Sequence, residues 1–320
     1  MTTSSTNQLH VVAGKGPVGS STADLLAAAG HRVRVLSRSG GPSVASRDRR
    51  GPIEHVAVDA SDRDAVLAAT EGADVVYNCL NPEYHRWATD WPPMATALLD
   101  AAEAHDAVLV TMSNLYGYGP VDRPLTEDLP LAARGTKGRV RARMWEQALQ
   151  RHRDGRVRVT EARASDFWGP GVTDGGYLGE RAVPRILAGR KVQVIGSPDQ
   201  PHTWTYIPDV ARTLVVLGSD ERAWGRAWHV PSPAPMTIRR MVGALCAAAG
   251  VTDVGVSTLP WTIVLAGGVV VPFLRELRET RHQWDRPFVM DSSGAADTFG
   301  LEPTPTEAAA AATVAWWRAR

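Results

Sequence analysis

Cysteines, long apolar runs and an excess of either charge are all scarce in this chain, and each scarcity removes a class of protein. Cys79 and Cys246 are the only cysteines. They lie far apart in apolar stretches that read as a strand and a helix, so buried thiols in a reducing compartment are expected, not a disulfide scaffold. Lysine plus arginine (35) almost equals aspartate plus glutamate (34), a formal net charge of +1, so no field of one sign recommends a nucleic acid or a membrane as partner. The longest apolar run, residues 261–274, is too short and too interrupted by glycine to span a bilayer. It is expected to form a buried helix or a pocket wall. Residues 1–8 lack the basic-then-apolar pattern of a secretory leader, and a cytoplasmic location is expected. Nine histidines are scattered without His-x-x-x-His spacing or cysteine pairing, so no metal site is expected.

What is present begins near the N-terminus. Apolar residues 9–13 break into Gly14-Lys15-Gly16-Pro17-Val18-Gly19, and an alanine- and leucine-rich helical pattern follows over 20–29, stopped by Gly30. Strand, glycine turn and helix in that order, with G-x-G-x-x-G spacing, are the requirements of a dinucleotide-binding turn. Gly14 permits the sharp turn, Gly16 lets a pyrophosphate approach the backbone, and Gly19 lets the helix pack on the strand. The helix N-terminus offers free amides and partial positive charge to the phosphates.

Strand and helix patterns then alternate, which predicts an α/β fold with a doubly wound parallel sheet of Rossmann type. A second strand, 31–36, ends in Ser37-Arg38-Ser39. An acidic residue there would hold a ribose 2′-hydroxyl, whereas an arginine accommodates a 2′-phosphate. Arg38 therefore favours NADP(H) over NAD(H). A third strand, 54–58, leads to Asp59-Ala60, where Asp59 either caps the helix at 63–69 or touches the adenine edge; Asp62 is the better pure cap. The fourth strand, 74–79, leads to Leu80-Asn81 and a connection over 83–93 that carries His85, Trp87 and Trp91. A helix over 94–105 and a fifth strand over 107–112 complete this half. Ligands bind beyond the carboxyl ends of such strands, so this aromatic connection is a candidate substrate wall.

Several further stretches carry a resemblance. Thr111-Met112-Ser113-Asn114-Leu115-Tyr116-Gly117 looks like a fifth strand with a Ser/Thr and Tyr-Gly ending, and Thr126-Glu127-Asp128 with Pro130 follows it. Arg163-Ala164-Ser165-Asp166-Phe167-Trp168-Gly169-Pro170-Gly171, then Thr205-Tyr206-Ile207-Pro208-Asp209-Val210-Ala211, and finally Phe299-Gly300-Leu301-Glu302-Pro303 complete the set. Together they resemble the extended short-chain dehydrogenase/reductase superfamily, the group that contains sugar-nucleotide epimerases and dehydratases. The resemblance implies a nucleotide-binding domain over 1–163, rejoined by segments near 202–229. It also implies a smaller, mainly substrate-binding C-terminal lobe over 164–320 and a possible homodimer formed through two helices per subunit.

The chain departs from that family at its proton donor. The family carries Tyr-x-x-x-Lys on the helix after the fifth strand, the phenol as acid/base and the lysine beside it on one helix face. Tyr77, Tyr84, Tyr116, Tyr118, Tyr177 and Tyr206 are each followed, four places on, by a residue other than lysine. Aligning Glu146 with the family's glutamate puts Gly138 and Ala142 at the two positions; shifting by one offers Lys137 and Arg141.

Three readings follow. A reductase with a substitute acid would use Tyr116 or Tyr118 as phenol, Ser113 on the substrate carbonyl, and Lys137 or Arg141 as positive field. A non-redox isomerase, cyclase or lyase would use His85, His202 or Asp166 as acid/base. A nucleotide-sensing protein would use none of them. The resemblance places Trp87, Trp91, Trp168 and Trp204 around the pocket with His85, Asn114, Asp166 and His202, which favours an apolar or aromatic substrate over a sugar nucleotide. Reduction of a carbonyl or enone is the leading expectation.

Overall fold

A computed structural model of the chain describes residues 8–42, 53–173, 176–268 and 272–320. The chain divides into two compact units. The first is Met1–Asn114, Arg139–Arg163 and Val210–Trp228; the second is Leu115–Gly138, Ala164–Asp209 and His229–Arg320.

The first unit is built on strands β1 (Leu9–Ala13), β2 (Arg32–Ser37), β3 (Ile53–Ala57), β4 (Val75–Asn78), β5 (Val108–Asn114) and β6 (Arg158–Ala164), with Ala227–His229 at one edge. From that edge the order is β6-β5-β4-β1-β2-β3, and the pairs from β3 through β5 are parallel. Every residue of β1 and β4 is buried, as covering both faces of a central parallel strand requires. Strand order reverses between β1 and β4, the place where an open α/β sheet leaves a crevice.

Helices α1 (Pro17–Ala28), α2 (Arg63–Ala69), α3 (Trp87–Ala104) and α4 (Thr136–Arg153) belong to the same alternation. Helix α1 starts three residues before the expected 20, because Pro17 has a φ preset for the first helical turn and lacks only an amide that would be unpaired there. Asp62 caps α2 through the Ala65 amide at 3.1 Å, the role expected of it.

The stretch 83–93 differs most from its sequence reading. Only Tyr84–Arg86 forms a separate short 3-10 turn, and α3 starts at Trp87, seven residues early. Pro92 and Pro93 lie inside α3 and remove two backbone donors, the signal that argued for a later start. Trp87 and Trp91, one turn apart and both buried, hold that first turn in place through packing.

The second unit contains β7 (Asp166–Trp168), β8 (Val192–Ile195) and β9 (Trp204–Tyr206). Strand β7 pairs in parallel with β9, aligning Asp166 with Trp204, while β8 pairs with Val256–Leu259. Its core gathers Trp168, Trp204, Tyr206, Leu245 and Trp284. Helix Ile238–Ala249 packs in this core, opened by the Thr237 side chain and closed by Gly250 at φ 64. The buried helix expected of the apolar run is corrected here. Helix Trp261–Gly267 leaves Ile263 55% and Leu265 37% exposed, and Val264 is its only fully buried side chain. Residues 269–271 of the run lie outside the described residues, as do 1–7. No helix among the described residues is long and apolar enough to cross a membrane.

Candidate functional site

The glycine turn is shaped by contacts that a side chain would break. Gly14 has φ +108, and a Cβ there would sit 2.5 Å from the Cys79 carbonyl oxygen; a Cβ on Gly19 would sit 2.0 Å from the Gly14 carbonyl oxygen. Gly16 faces open space, with nothing within 4 Å of where a Cβ would stand. The turn is thus closed against the sheet on two glycines and open over the third. Its N-cap has no side-chain hydrogen bond and no acidic residue follows in the first turn, so positive potential at the start of α1 is unopposed there. Ser20 Oγ donates to the Lys15 carbonyl at 3.0 Å, and Lys15 Nζ donates to the Gly40 carbonyl at 2.8 Å, tying the turn to the loop after β2. Pro17 is half-buried and Val18 buried.

At the end of β2, Ser37 Oγ is buried with no partner among the described residues, while Arg38 is exposed. Asp59 accepts from the Ser61 amide at 2.9 Å and from Ser61 Oγ at 2.7 Å. Those hydrogen bonds, with Arg38 adding to them, hold its carboxyl below the usual carboxylate range. Ala60 is buried, Leu80 half-buried with its amide on Asn78 Oδ1, and Asn81 exposed. An orphaned hydroxyl, an exposed arginine and an open glycine cradle are features that a dinucleotide fits. Burial pushes the Cys79 thiol, beneath this turn, up to about 12, well above the ordinary thiol range.

Beyond β5 the expected residues have different environments. Ser113 is 3% exposed near the strand's end, and Asn114 is half-buried. Trp87 and Trp91 are not an open wall. Arg141 is buried with its guanidinium carbon 4.7 Å and 4.2 Å from their ring centroids, and its Nη1 lies 3.4 Å from the Met112 carbonyl. A guanidinium keeps its proton throughout the physiological range, so β5 ends beside a permanent buried cation. His85 is exposed, with Nε2 3.6 Å from a Glu83 carboxyl oxygen.

In the second unit, Tyr116 and Tyr118 bound one 3-10 turn. Tyr116 is half-buried. Tyr118 is 3% exposed, and its hydroxyl lies 2.7 Å from His229 Nε2. His229 Nδ1 lies 2.6 Å from the Asp291 carbonyl, which can only accept; Nδ1 therefore carries the proton, and Tyr118 donates to Nε2. Lys137 is likewise not an open cation: it is 2% exposed, ion-paired with Glu276 and 3.8 Å from Glu279. Glu279 Oε1 also accepts the amides of Lys137 and Gly138.

The structure brings together Asp166, His202, Trp204 and, through the strand pairing, Trp168. His202 Nε2 lies 2.8 Å from Asp166 Oδ2, and its ring centroid lies 4.6 Å from that of Trp204. Trp168 and Trp204 are both buried. Glu276, Glu279 and His229 escaped the sequence reading. Glu276 and Glu279 show only as an i, i+3 acidic pair on a helix, and nothing local ties that pair to a lysine 142 residues earlier. Among the described residues no group of three potential ligands could hold a metal ion.

Comparison with known proteins agrees with this geometry. The model of the NAD dependent epimerase/dehydratase family matches residues 10–229, more than half of the chain. UDP-glucose 4-epimerase from Thermotoga maritima superposes with a TM-score of 0.79 at 17% identity, covering 98% of this chain and 99% of that one. dTDP-glucose 4,6-dehydratase from Bacillus anthracis, solved with NAD, gives 0.78 at 17%, covering 98% and 97%. A putative epimerase from Burkholderia cenocepacia gives 0.80 at 20%, covering 98% and 99%. No curated protein sequence matches. At these identities the structural likeness establishes a shared fold, and the family model establishes membership. The chain belongs to the NAD dependent epimerase/dehydratase family.

Proposed function

We propose that this protein is an NADP(H)-dependent oxidoreductase that reduces a carbonyl or enone on a small apolar or aromatic substrate. The observation that carries the reading is the pairing of the open Gly16 cradle with the end of β2, where Ser37 Oγ lacks a partner among the described residues and Arg38 stands in place of an acid. The amides of the turn from Gly14 to Gly19 would hold the pyrophosphate, and Ser37 the ribose. Arg38, with Lys15 nearby in the turn, would hold the 2′-phosphate. Asp59 and Ala60 would border the adenine, and Leu80 and Asn81 the path of the dinucleotide across β4.

When bound, the reduced dinucleotide supplies a hydride. Ser113 Oγ then donates a hydrogen bond to the substrate carbonyl, and the buried Arg141 cation favours negative charge developing on that oxygen. Tyr116 Oη delivers the proton. Tyr118 is the poorer donor, since its proton already points to His229 Nε2. Trp87, Trp91, Trp168 and Trp204 are all buried, so the apolar or aromatic substrate rests on the sequence reading alone.

One observation favours a second reading, a non-redox isomerisation, elimination or cyclisation. Asp166 and His202 form an acid–base pair at 2.8 Å, whereas the expected lysine is already paired with carboxylates. Purified protein mixed with NADPH and a panel of aromatic ketones and enones separates the two. Steady loss of NADPH absorbance with alcohol or saturated ketone formed supports the reductase. Product without net NADPH consumption selects the second reading, and binding without any product overturns both.

A further inference from the structure

We propose that a cleft in the second unit, walled by residues 120–125 and 282–289, binds a small amphipathic carboxylate, a molecule with a compact apolar body and one carboxylate head. The proposal concerns the second unit alone and stands apart from the reductase reading.

Backbone bonds fix both walls of the cleft. Leu125 forms a parallel bridge with Met290; its amide donates to the Val289 carbonyl at 2.8 Å, and its carbonyl accepts the Asp291 amide at 2.8 Å. The Phe288 amide donates to the Pro201 carbonyl at 2.9 Å, and the Phe288 carbonyl accepts from the Thr203 amide at 3.0 Å. Leu125 and Phe288 are buried and, with half-buried Val121 packed against them, make an apolar floor. The cleft measures about 310 Å³ counting its open mouth. Its innermost part is about 10 Å³, room for a single water, so a ligand lies along the cleft and is not swallowed by it.

Arg123, Arg286 and His282 line the same cleft. Arg123 is exposed and has neither a hydrogen bond nor an ion pair among the described residues. Its charge acts on Asp128, but less than the hydrogen bond from Thr126 that holds that carboxyl below the usual range. Arg286 keeps 65% of its side chain exposed, and its Nη1 lies 3.7 Å from a carboxyl oxygen of the outward-facing Asp122, beyond hydrogen-bonding distance. Asp285 and Glu279, close by along the chain, are engaged elsewhere. Asp285 accepts from Arg281 Nε at 2.7 Å and from Trp261 Nε1 at 2.8 Å, and Glu279 accepts the Lys137 amide. His282 is half-buried, its ring edge-on to Phe288 with centroids 6.3 Å apart. Burial lowers its pKa, a hydrogen bond to the Glu279 backbone and the Glu279 charge oppose that, and the Arg286 charge adds to it. At neutral pH the ring therefore adds a polar edge and no charge.

Two guanidiniums without a close carboxylate, beside an apolar floor, select for both ends of a ligand. A carboxylate can take two parallel N–H bonds from one guanidinium, and a neutral amide cannot. An apolar body gains by covering Val121 and the edge of Phe288. Acetate has the charge without the body, and an apolar amide has the body without the charge. Arginines that formed only a solvated rim would not reward the two together.

Calorimetric titration of the full chain, without nucleotide and at low salt, with phenylacetate, phenylacetamide and acetate tests this. Phenylacetate should bind with a Kd of about 1 mM or tighter, and at least about tenfold more tightly than either of the others. Arg123→Gln and Arg286→Gln should each lose about threefold in phenylacetate affinity, and the double variant about tenfold. Both side chains are exposed, so the melting temperature should not change. Absence of phenylacetate binding, an amide bound as tightly as the acid, or an affinity that survives the double variant overturns the proposal. NADPH turnover decides the reductase reading separately, whichever way these titrations fall.

Discussion

Gly138 donates its amide to Glu279 Oε1 at 3.1 Å, at the position that aligning Glu146 with the family's glutamate assigns to the catalytic tyrosine. The same oxygen accepts the Lys137 amide at 2.8 Å, so a carboxylate from helix Pro272–Thr280 caps the start of α4. A Cβ on Gly138 would stand 2.3 Å from Ala133 Cβ and 2.5 Å from the Tyr116 carbonyl oxygen. The site has closed over the position that a phenol would need.

Restoring the tyrosine should therefore fail. Gly138→Tyr is expected to lower stability by about 1–3 kcal/mol through overpacking, without raising turnover of NADPH. Urea unfolding read by tryptophan fluorescence measures the first, and a ketone-dependent rate the second. A variant as stable as the parent would show that Gly138 has room.

The two carboxylates around Lys137 should matter more than surface ion pairs. Lys137 is 2% exposed, and its acidic neighbours Glu276 and Glu279 each keep 23% of the side chain exposed. Removing both charges in a Glu276→Gln, Glu279→Gln double variant takes two carboxylates from a buried ammonium and is expected to cost about 3 kcal/mol. Loss of under about 0.5 kcal/mol in the same urea assay would mean that the pair behaves as an exposed one.

His10 predicts acid sensitivity. It lies in β1 with Nδ1 3.1 Å from the Tyr77 hydroxyl, and burial, then the neighbouring His31, push its pKa down from 6.5 to about 3. Between those values the unfolded chain binds a proton that the folded one refuses. The stability from this site is thus present in full above pH 6.5 and drains away as pH falls toward 3. The loss between neutral pH and about pH 5 should be about 2 kcal/mol. His10→Phe, which removes the titrating group, should flatten that part of the stability curve even if it lowers stability overall. An unchanged slope in the variant would assign the acid lability elsewhere.

Both thiols should resist thiol–disulfide exchange in the native state. Burial raises the Cys79 thiol to about 12 and raises Cys246 as well. Ellman's reagent at mildly alkaline pH should label neither cysteine until denaturant is added, after which both react. Rapid native labelling would show that the floor of the glycine turn opens.

Local features were legible in the sequence, and long-range ones were not. The glycine turn, the first five strands and the Asp62 cap follow from residues within a few places of one another, so periodicity and spacing reveal them. The missing tyrosine could be read directly from spacing. The start of α3 could not, since Pro92 and Pro93 signal a break that the burial of Trp87 and Trp91 overrides. Helix Trp261–Gly267 misled in the other direction: an apolar run does not say whether the fold has a surface to cover it. Partnerships such as Lys137 with Glu276, or Asp166 with His202, join segments 139 and 36 residues apart, and only the folded chain reveals them.

The central claim is that the turn from Gly14 to Gly19 seats a dinucleotide whose 2′-phosphate is held by Arg38. Calorimetric titration of NADPH and NADH into the parent and into Arg38→Ala tests it most directly. The account predicts NADPH binding at least about tenfold tighter than NADH in the parent, and near-equal affinities in the variant through loss of NADPH affinity alone. Tighter binding of NADH by the parent, or an NADPH preference that survives Arg38→Ala, would contradict it.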